Sequence, residues 1–340
     1  MDTFDIPVVL FLFKRTSTLK EIIGRIGSVK PQKVYLIADG GRTEAEHTEC
    51  EKCRQYAESL ITWPCELIKN YAPKNRGVYK NIGEGARWVF SNEEKAIFIE
   101  DDNLPEVTFF PYCKEMLEKY NDDELVLWVC GTNYLGKYDS EYSYMFTKHM
   151  LPCGWASWKH KFLKYYDGHM DSIKDKKKQS EFKHSYYLPG CKSWRLYEGQ
   201  LYSARRTAYL QKTNIGRSSW DYQMNYSVRS NGFYGISPVV NQIKNIGIDE
   251  NSIHGGNKPT KTVLKLCGMP SYKLDFPLRH PPQIEVDPVY EKKINKILEL
   301  PLYIILARKT IIKVLKRVLG INEFDSFASF LRKNKQNGIK

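Results

Sequence analysis

Three consecutive acids, Glu100-Asp101-Asp102, follow the short apolar run Ala96-Ile97-Phe98-Ile99. Strands tolerate such residues poorly, so carboxylates clustered at a strand's end call for a chemical reason. A hard divalent cation, Mn2+ or Mg2+, supplies one, because it takes oxygen ligands and often brings a phosphate with it. An acidic turn without chemistry is the plain alternative. Two further polar clusters follow apolar runs in the same way: Lys14-Arg15 after Pro7 to Phe13, and Asp39-Gly40 after Lys33 to Ala38.

The elements that must position these groups alternate over the first 130 residues. The strands expected are Pro7 to Phe13, Lys33 to Ala38, Cys65 to Asn70, Lys95 to Ile99 and Leu125 to Cys130. The helices expected are Thr16 to Ile26, Thr43 to Leu60, Tyr79 to Ser91 and Val107 to Tyr120, the first with Thr18 and Glu21 spaced as a capping box. Such alternation predicts a mostly parallel sheet covered on both faces, with ligands bound beyond the carboxyl ends of the strands. All three polar clusters fall at those ends. From 131 to 245 the pattern loosens and aromatics become dense, with a helix expected over Trp220 to Ser230. Pro270 to Pro288 is proline-rich and reads as a linker. Leu302 to Leu319 has helical periodicity, with Ile304, Ile311, Ile312, Leu315, Val318 and Leu319 on one face and Lys309, Lys313, Lys316 and Arg317 on another. This basic amphipathic tail either docks on the main domain or lies on an anionic membrane surface.

A net charge of +13 points to anionic partners. The basic residues are spread along the chain and form no nucleic-acid module, so no nucleic-acid partner is expected. The acidic start, Met1-Asp2-Thr3-Phe4-Asp5, does not resemble a secretory signal, and no uncharged run reaches the ~18 residues that span a bilayer. A cytoplasmic protein is expected, peripheral on the inner membrane face if the tail binds there. Of eight cysteines only Cys50 and Cys53 form a C-x-x-C pair, with no second pair to complete a zinc site. Reduced thiols on a helix are expected.

In order along the chain, Phe13-Lys14-Arg15, Ala38-Asp39-Gly40, Asn75-Arg76-Gly77-Val78 with Asn81 and Gly85, Glu100-Asp101-Asp102, Gly154-Trp155-Ala156-Ser157-Trp158, Trp220-Asp221-Tyr222-Gln223 and Asn245-Ile246-Gly247 with His254 resemble bacterial glycosyltransferases of the GT-A fold. The family-2-like enzymes of surface-polysaccharide loci are the nearest in look, and the resemblance covers roughly residues 5 to 256. It implies an α/β, Rossmann-like, mostly parallel sheet flanked by helices, followed by the helical tail. The domain expected is 1–256, with a nucleotide-binding half (1–130) and an acceptor half (131–256), then an extended linker (257–300) and the tail (301–340).

The resemblance implies a nucleotide-sugar donor, UDP-linked by preference, and a glycan or lipid-linked glycan acceptor. Asp102 is the first-choice metal ligand, with His254 as a further ligand or a pyrophosphate contact. Glu100 and Asp101 are expected to touch ribose or metal-bound water, and Asp39 the base or ribose, with Gly40 allowing close backbone approach. Arg15, Arg42 and Arg76 suit phosphate, because a guanidinium offers paired donors; for each, a surface ion pair is the alternative. Phe13 belongs to the donor side. Trp155 and Trp158 are expected to stack on a sugar ring, with core packing as the alternative for Trp158. Asp221, at the start of a helix, is the expected base in an inverting displacement, with helix capping as its alternative. Two rival readings keep the fold: a sugar nucleotidyltransferase, which normally has a glycine-rich basic loop after the first strand, and a non-catalytic glycan-binding protein.

Overall fold

The computed structural model describes residues 4–213, 218–247, 266, 268–325, 327 and 330. Its first strand, β1 (Val8–Leu12), is buried on both faces. Val8, Leu10 and Leu12 enter one apolar core and Val9 and Phe11 the other, as alternation along a strand requires. β2 (Lys33–Ala38), β3 (Glu66–Tyr71) and β4 (Lys95–Glu100) run parallel to it, in the order β3-β2-β1-β4. The sheet continues through β8 (Trp155–Trp158), β6 (Val126–Cys130), β9 (Tyr234–Pro238) and β7 (Tyr144–Thr147). β8 is antiparallel to both β4 and β6, β6 is parallel to β9, and β7 is antiparallel to β9. A separate antiparallel pair joins β5 (Asn103–Pro105) to β10 (Ile243–Asn245).

The chain therefore moves outward from β1 to β3 and then crosses to the opposite side of β1 at β4. Such a switch in direction opens a crevice at the carboxyl ends of the two strands. Helices α1 (Leu19–Gly27), α2 (Glu44–Leu60), α3 (Gly85–Asn92) and α4 (Phe109–Lys119) connect this half. The α/β sheet flanked by helices is the architecture expected. Two local expectations differ. The segment expected as one helix over Tyr79 to Ser91 begins as a π-helix, Tyr79–Glu84. The Thr18 capping box is not made: the Thr18 side chain caps nothing and its hydroxyl donates to the Asp101 carbonyl.

Beyond β8 lie α5 (Lys159–Tyr165), α6 (Lys176–His184), α7 (Trp194–Thr213) and α8 (Asp221–Ser230). The expectation of a spacer over 257–300 does not hold over its described residues from 268 onward. Leu274 and Leu278 are buried in the same core as β1, and the Ser143 amide donates to the Arg279 carbonyl (2.8 Å). Helix α9 (Pro288–Leu298) follows, capped by Asp287, with Tyr290 and Ile294 fully buried. Proline richness suits an extended path, and the leucines in it turn that path into a cover for the sheet.

A buried polar network fastens α9. Glu291 accepts from the Thr147 hydroxyl (2.6 Å) and the Lys148 amide (3.1 Å). His149 pairs with Asn295 Oδ1 through Nε2 (2.9 Å) and with Arg229 through Nδ1 (3.2 Å). Burial, reinforced by Arg229 and opposed by Glu291, pushes the His149 imidazole down to about 4 from an ordinary 6.5. Between those values the unfolded chain binds the extra proton, so stability falls as pH falls. The unfolding midpoint should drop from about pH 6.5 to about pH 4, and His149→Gln should flatten that slope. Equal slopes in the two proteins would remove His149 from the acid response.

The tail forms a helix of three joined pieces, Leu302–Ala307, the π-helical Arg308–Ile312 and Lys313–Val318. It docks on α7 through a Lys309–Glu198 ion pair (2.7 Å) and through the Glu323 and Phe324 carbonyls, which accept from the Tyr202 hydroxyl and Arg206 Nε (3.4 Å each). Lys316 Nζ closes the tail on itself by donating to the Glu323 and Asp325 carbonyls (2.7 Å each). Of the apolar face expected, Ile311, Leu315, Val318 and Leu319 point to solvent, together with Tyr303 and Val314, while Ile304 and Ile312 are half-buried and the docked residue is Ile305. No helix among the described residues is long and apolar enough to cross a membrane.

Candidate functional site

The turn after β4 is held from below by β1 and α1. The Phe13 amide donates to Asp101 Oδ2 (3.0 Å), and Arg15 Nη1 donates to Asp101 Oδ1 (3.1 Å). With the Thr18 hydroxyl on its carbonyl, Asp101 is a strut that joins the ends of β1 and β4. Cys53 Sγ, from the C-x-x-C pair on α2, supports the same loop through the Arg15 carbonyl (3.4 Å). Cys50 and Cys53 are buried thiols, and burial pushes Cys50 up to about 11.

This leaves Glu100 and Asp102 as the turn's remaining acids. The Asp102 side chain is 26% exposed against 15% for Asp101, so it is the more accessible to a ligand. Its carboxylate accepts from the Asn103 side chain and lies 3.5 Å from Arg15. The Ile246 amide donates to its carbonyl (2.8 Å), and Arg15 Nη2 donates to the Gly247 carbonyl (3.3 Å). A Cβ at Gly247 would come 2.5 Å from Asp102 Oδ2. Only glycine allows β10 to bring the chain this close to the acid.

Asp221 reaches the same cluster from α8. It is the first residue of that helix, and its amide donates to Ser219 Oγ (3.3 Å). The capping alternative does not apply, since Trp220 occupies the cap position. Burial pushes the Glu100 carboxyl well above the usual range, and the carboxylates of Asp102, Asp101 and Asp221 push it further. Four acids thus act on one another, with Arg15 as the opposing charge. Crowding of this kind suits a divalent cation. Among the described residues no three His, Cys, Asp or Glu side chains converge on one point, so no complete protein cage is formed. The donor set fits an ion held by one or two carboxylates and completed by ligand oxygens, the usual arrangement for Mg2+ with phosphates. His254 lies outside the described residues.

The aromatic residues behind Asp221 are structural. Trp155 is buried and stacks between Phe98 (3.9 Å) and Trp128 (4.3 Å), with Trp220 beyond it at 5.5 Å. The expected sugar-facing role of Trp155 is therefore corrected: it is a core residue that seats Trp220, and through it Asp221. Trp158 is also core, its indole donating to the Leu117 carbonyl (2.8 Å).

Asp39 also has a different task from the one expected. Its Oδ1 accepts from the Gly40 and Arg76 amides (2.8 and 2.7 Å), and its Oδ2 from Asn75 Nδ2 and the Gly77 amide (3.0 Å each). A carboxylate has about four acceptor positions, and four donors fill them. It clamps the 75–77 loop to the end of β2 instead of presenting itself to a base or ribose. Gly40 serves this clamp, since a Cβ there would lie 2.5 Å from the Lys74 backbone. Buried Arg54 completes it by donating to the Asp39 and Ala72 carbonyls (3.1 and 2.7 Å). Nothing in the helical pattern of α2 singled out Arg54.

The three arginines separate. Arg15 is paired with Asp101, and Arg42 with Glu46 (3.3 Å) while it covers the Phe13 ring at 5.2 Å. Arg76 is held by amide oxygens, those of Asn81 (3.0 and 2.8 Å) and Asn70 (3.1 Å), and among the described residues it has no carboxylate in ion-pair range. Neutral acceptors orient the guanidinium without cancelling its charge, which leaves it fit for an anion. Asp39→Asn should lower stability by about 3 kcal/mol in denaturant unfolding, because donors facing the new amide lose their acceptor. Unchanged stability with lost nucleotide binding would instead make Asp39 a ligand group.

No protein-family model and no curated protein matches the chain. Among solved structures it is similar to glucosyl-3-phosphoglycerate synthase from Mycobacterium tuberculosis in complex with Mn2+, UDP and glucosyl-3-phosphoglycerate, at 11% identity and a TM-score of 0.29. That match covers 46% of this chain and 57% of the synthase. A mannosyltransferase from Pyrobaculum calidifontis in complex with GDP-Man and Mn2+ is similar at 13% identity and a TM-score of 0.35, over 67% of this chain and 68% of that one. UDP-glucose pyrophosphorylase complexed with UDP-glucose is similar at 9% identity and a TM-score of 0.37, over 74% of this chain and 95% of that one. Likeness at this level decides neither substrate nor reaction.

Proposed function

We propose that this chain is a metal-dependent glycosyltransferase that moves a sugar from a nucleotide diphosphate, a UDP-sugar by preference, to a glycan or lipid-linked glycan acceptor. The observation that carries the reading is the Glu100–Asp102 turn, set at the switch point of the sheet, with the Asp221 carboxylate near enough to push the Glu100 carboxyl up. A divalent ion held there by Asp102, with His254 as a further ligand, would offset the charge that grows on the departing diphosphate. Arg76 suits an oxygen of the nucleotide's phosphates. Asp221 takes the proton of the acceptor hydroxyl as its oxygen bonds to the anomeric carbon and the bond to the diphosphate breaks, which inverts that carbon. The position of Asp221 in the first turn of α8 favours its anionic form.

The nucleotidyltransferase reading loses support from the loop after β1. Lys14 is taken up by Glu46 (3.1 Å) and Arg15 by Asp101, so the cations of that loop brace the fold instead of forming a phosphate cradle. The solvent-facing Ile311, Val314, Leu315 and Val318, set among the exposed Lys313 and Arg317, suit a helix lying on an anionic bilayer surface. That placement fits assembly of surface polysaccharide or lipopolysaccharide at the inner membrane face.

Thermal unfolding with UDP, GDP and CDP, each with and without Mn2+, tests the reading. One diphosphate should stabilise the protein only when Mn2+ is present, by about 2.7 kcal/mol at 100-fold excess over its Kd. Asp102→Asn should abolish that response and Asp221→Asn should keep it. A response that survives Asp102→Asn would take the metal away from Asp102. One lost in Asp221→Asn would move Asp221 to the donor side.

A further inference from the structure

A cavity of about 280 Å³ opens between α7 and the start of α8, lined by Ser219 and Tyr222 on either side of Asp221 in the chain. Tyr202 and Arg206 of α7, Ser219 and Tyr222 at the start of α8, and Arg308 of the terminal helix line it. Its volume is far larger than the ~30 Å³ of a water. Arg206 Nε donates to the Phe324 carbonyl (3.4 Å), and Arg308 lies over the Tyr202 ring at 4.6 Å. Among the described residues neither guanidinium has a carboxylate in ion-pair range. The nearby acid Asp325 is approached by the Tyr209 hydroxyl (3.3 Å). The fold thus brings two arginines from distant parts of the chain to a polar-walled cavity and neutralises neither. Ser219, which also accepts from the Asp221 amide, forms part of the wall. A group seated in the cavity therefore sits next to the proposed base.

We propose that this cavity is the acceptor subsite and that it takes a phosphoryl group carried by the acceptor. Two guanidinium groups with tyrosine and serine hydroxyls match the charge and the oxygen count of a phosphate better than those of a neutral sugar. The inference rests on the transfer reading above for the word acceptor, and on the cavity alone for the anion. Because Arg308 belongs to the terminal helix, docking of the tail completes the subsite. The phosphate has two possible carriers, a soluble phosphorylated glycan or a lipid headgroup in a bilayer beneath the exposed apolar face of the tail.

Calorimetric titration of the full chain with inorganic phosphate tests the site. Arg206→Ala, which removes an exposed cation, and Ser203→Asp, which places a negative charge in the same wall, should each weaken phosphate binding at least tenfold. Both should keep the response to nucleotide diphosphate with Mn2+. Phosphate affinity equal to wild type in both variants, or no phosphate binding by wild type, overturns the proposal. Flotation with phosphatidylcholine vesicles, with and without phosphatidic acid, separates the carriers. Arginine-dependent binding to phosphatidic acid supports the site with a lipid phosphate, and vesicle binding indifferent to both variants supports it with a soluble one. Failure of the nucleotide response while phosphate binding obeys the variants would overturn the transfer reading and leave the anion site standing.

Discussion

Like charges at short range repel, and the repulsion grows where water is scarce. Glu100, Asp101, Asp102 and Asp221 act on one another at the end of a buried sheet, and Arg15 is the cation that opposes them. A fold that keeps such a group must either hold each acid by hydrogen bonds or leave the excess charge for a ligand to offset. Both happen here. Asp101 is consumed by the Phe13 amide, by Arg15 and, through its carbonyl, by Thr18. Glu100 and Asp102 carry the remainder, which a divalent cation shared with phosphate oxygens would answer under the proposed function.

The rest of the structure holds that cluster in place. β1 and β4 supply adjacent parallel ends, and the reversal of chain direction between them opens the crevice. A stack of aromatic rings, Phe98, Trp155, Trp128 and Trp220, fixes the start of α8 against β4 and keeps the Asp221 carboxylate near enough to push the Glu100 carboxyl up. The glycine after β10 lets a third segment close on Asp102. On the far side, Glu291 and His149 pin α9, and the tail that follows adds Arg308 to the cavity beside Asp221. The two halves of the proposed reaction therefore draw on different parts of the chain, donor groups on the parallel strands and acceptor groups on the helices.

Much of this was legible in residue order. β1, β2 and β4 stand out because they are buried and read as nearly unbroken apolar runs, and their polar ends mark the crevice directly, whereas the edge strand β3 is partly exposed and carries Lys69 and Asn70. Roles within the site were less legible, because a side chain's partners come from distant segments. Asp39 looks like a ligand group until four donors from its own loop and from residues 75–77 are counted around it. Trp155 beside a glycine suggests a sugar platform, and only the arrival of Phe98, Trp128 and Trp220 shows it to be core. Thr18 fits a capping box, but a carbonyl 83 residues away claims its hydroxyl. The proline-rich stretch after residue 270 reads as a spacer because its two anchoring leucines leave no periodic trace.

The central claim is that the carboxylate turn binds a divalent cation jointly with a nucleotide diphosphate. Electron paramagnetic resonance of Mn2+, titrated with the full chain in the absence and presence of UDP, measures this directly. Weak binding of Mn2+ by the protein alone, tightened at least tenfold by UDP and lost in Asp102→Asn, is the result this account predicts. Mn2+ affinity that is unaffected by every nucleotide diphosphate, or unchanged in Asp102→Asn, would contradict it.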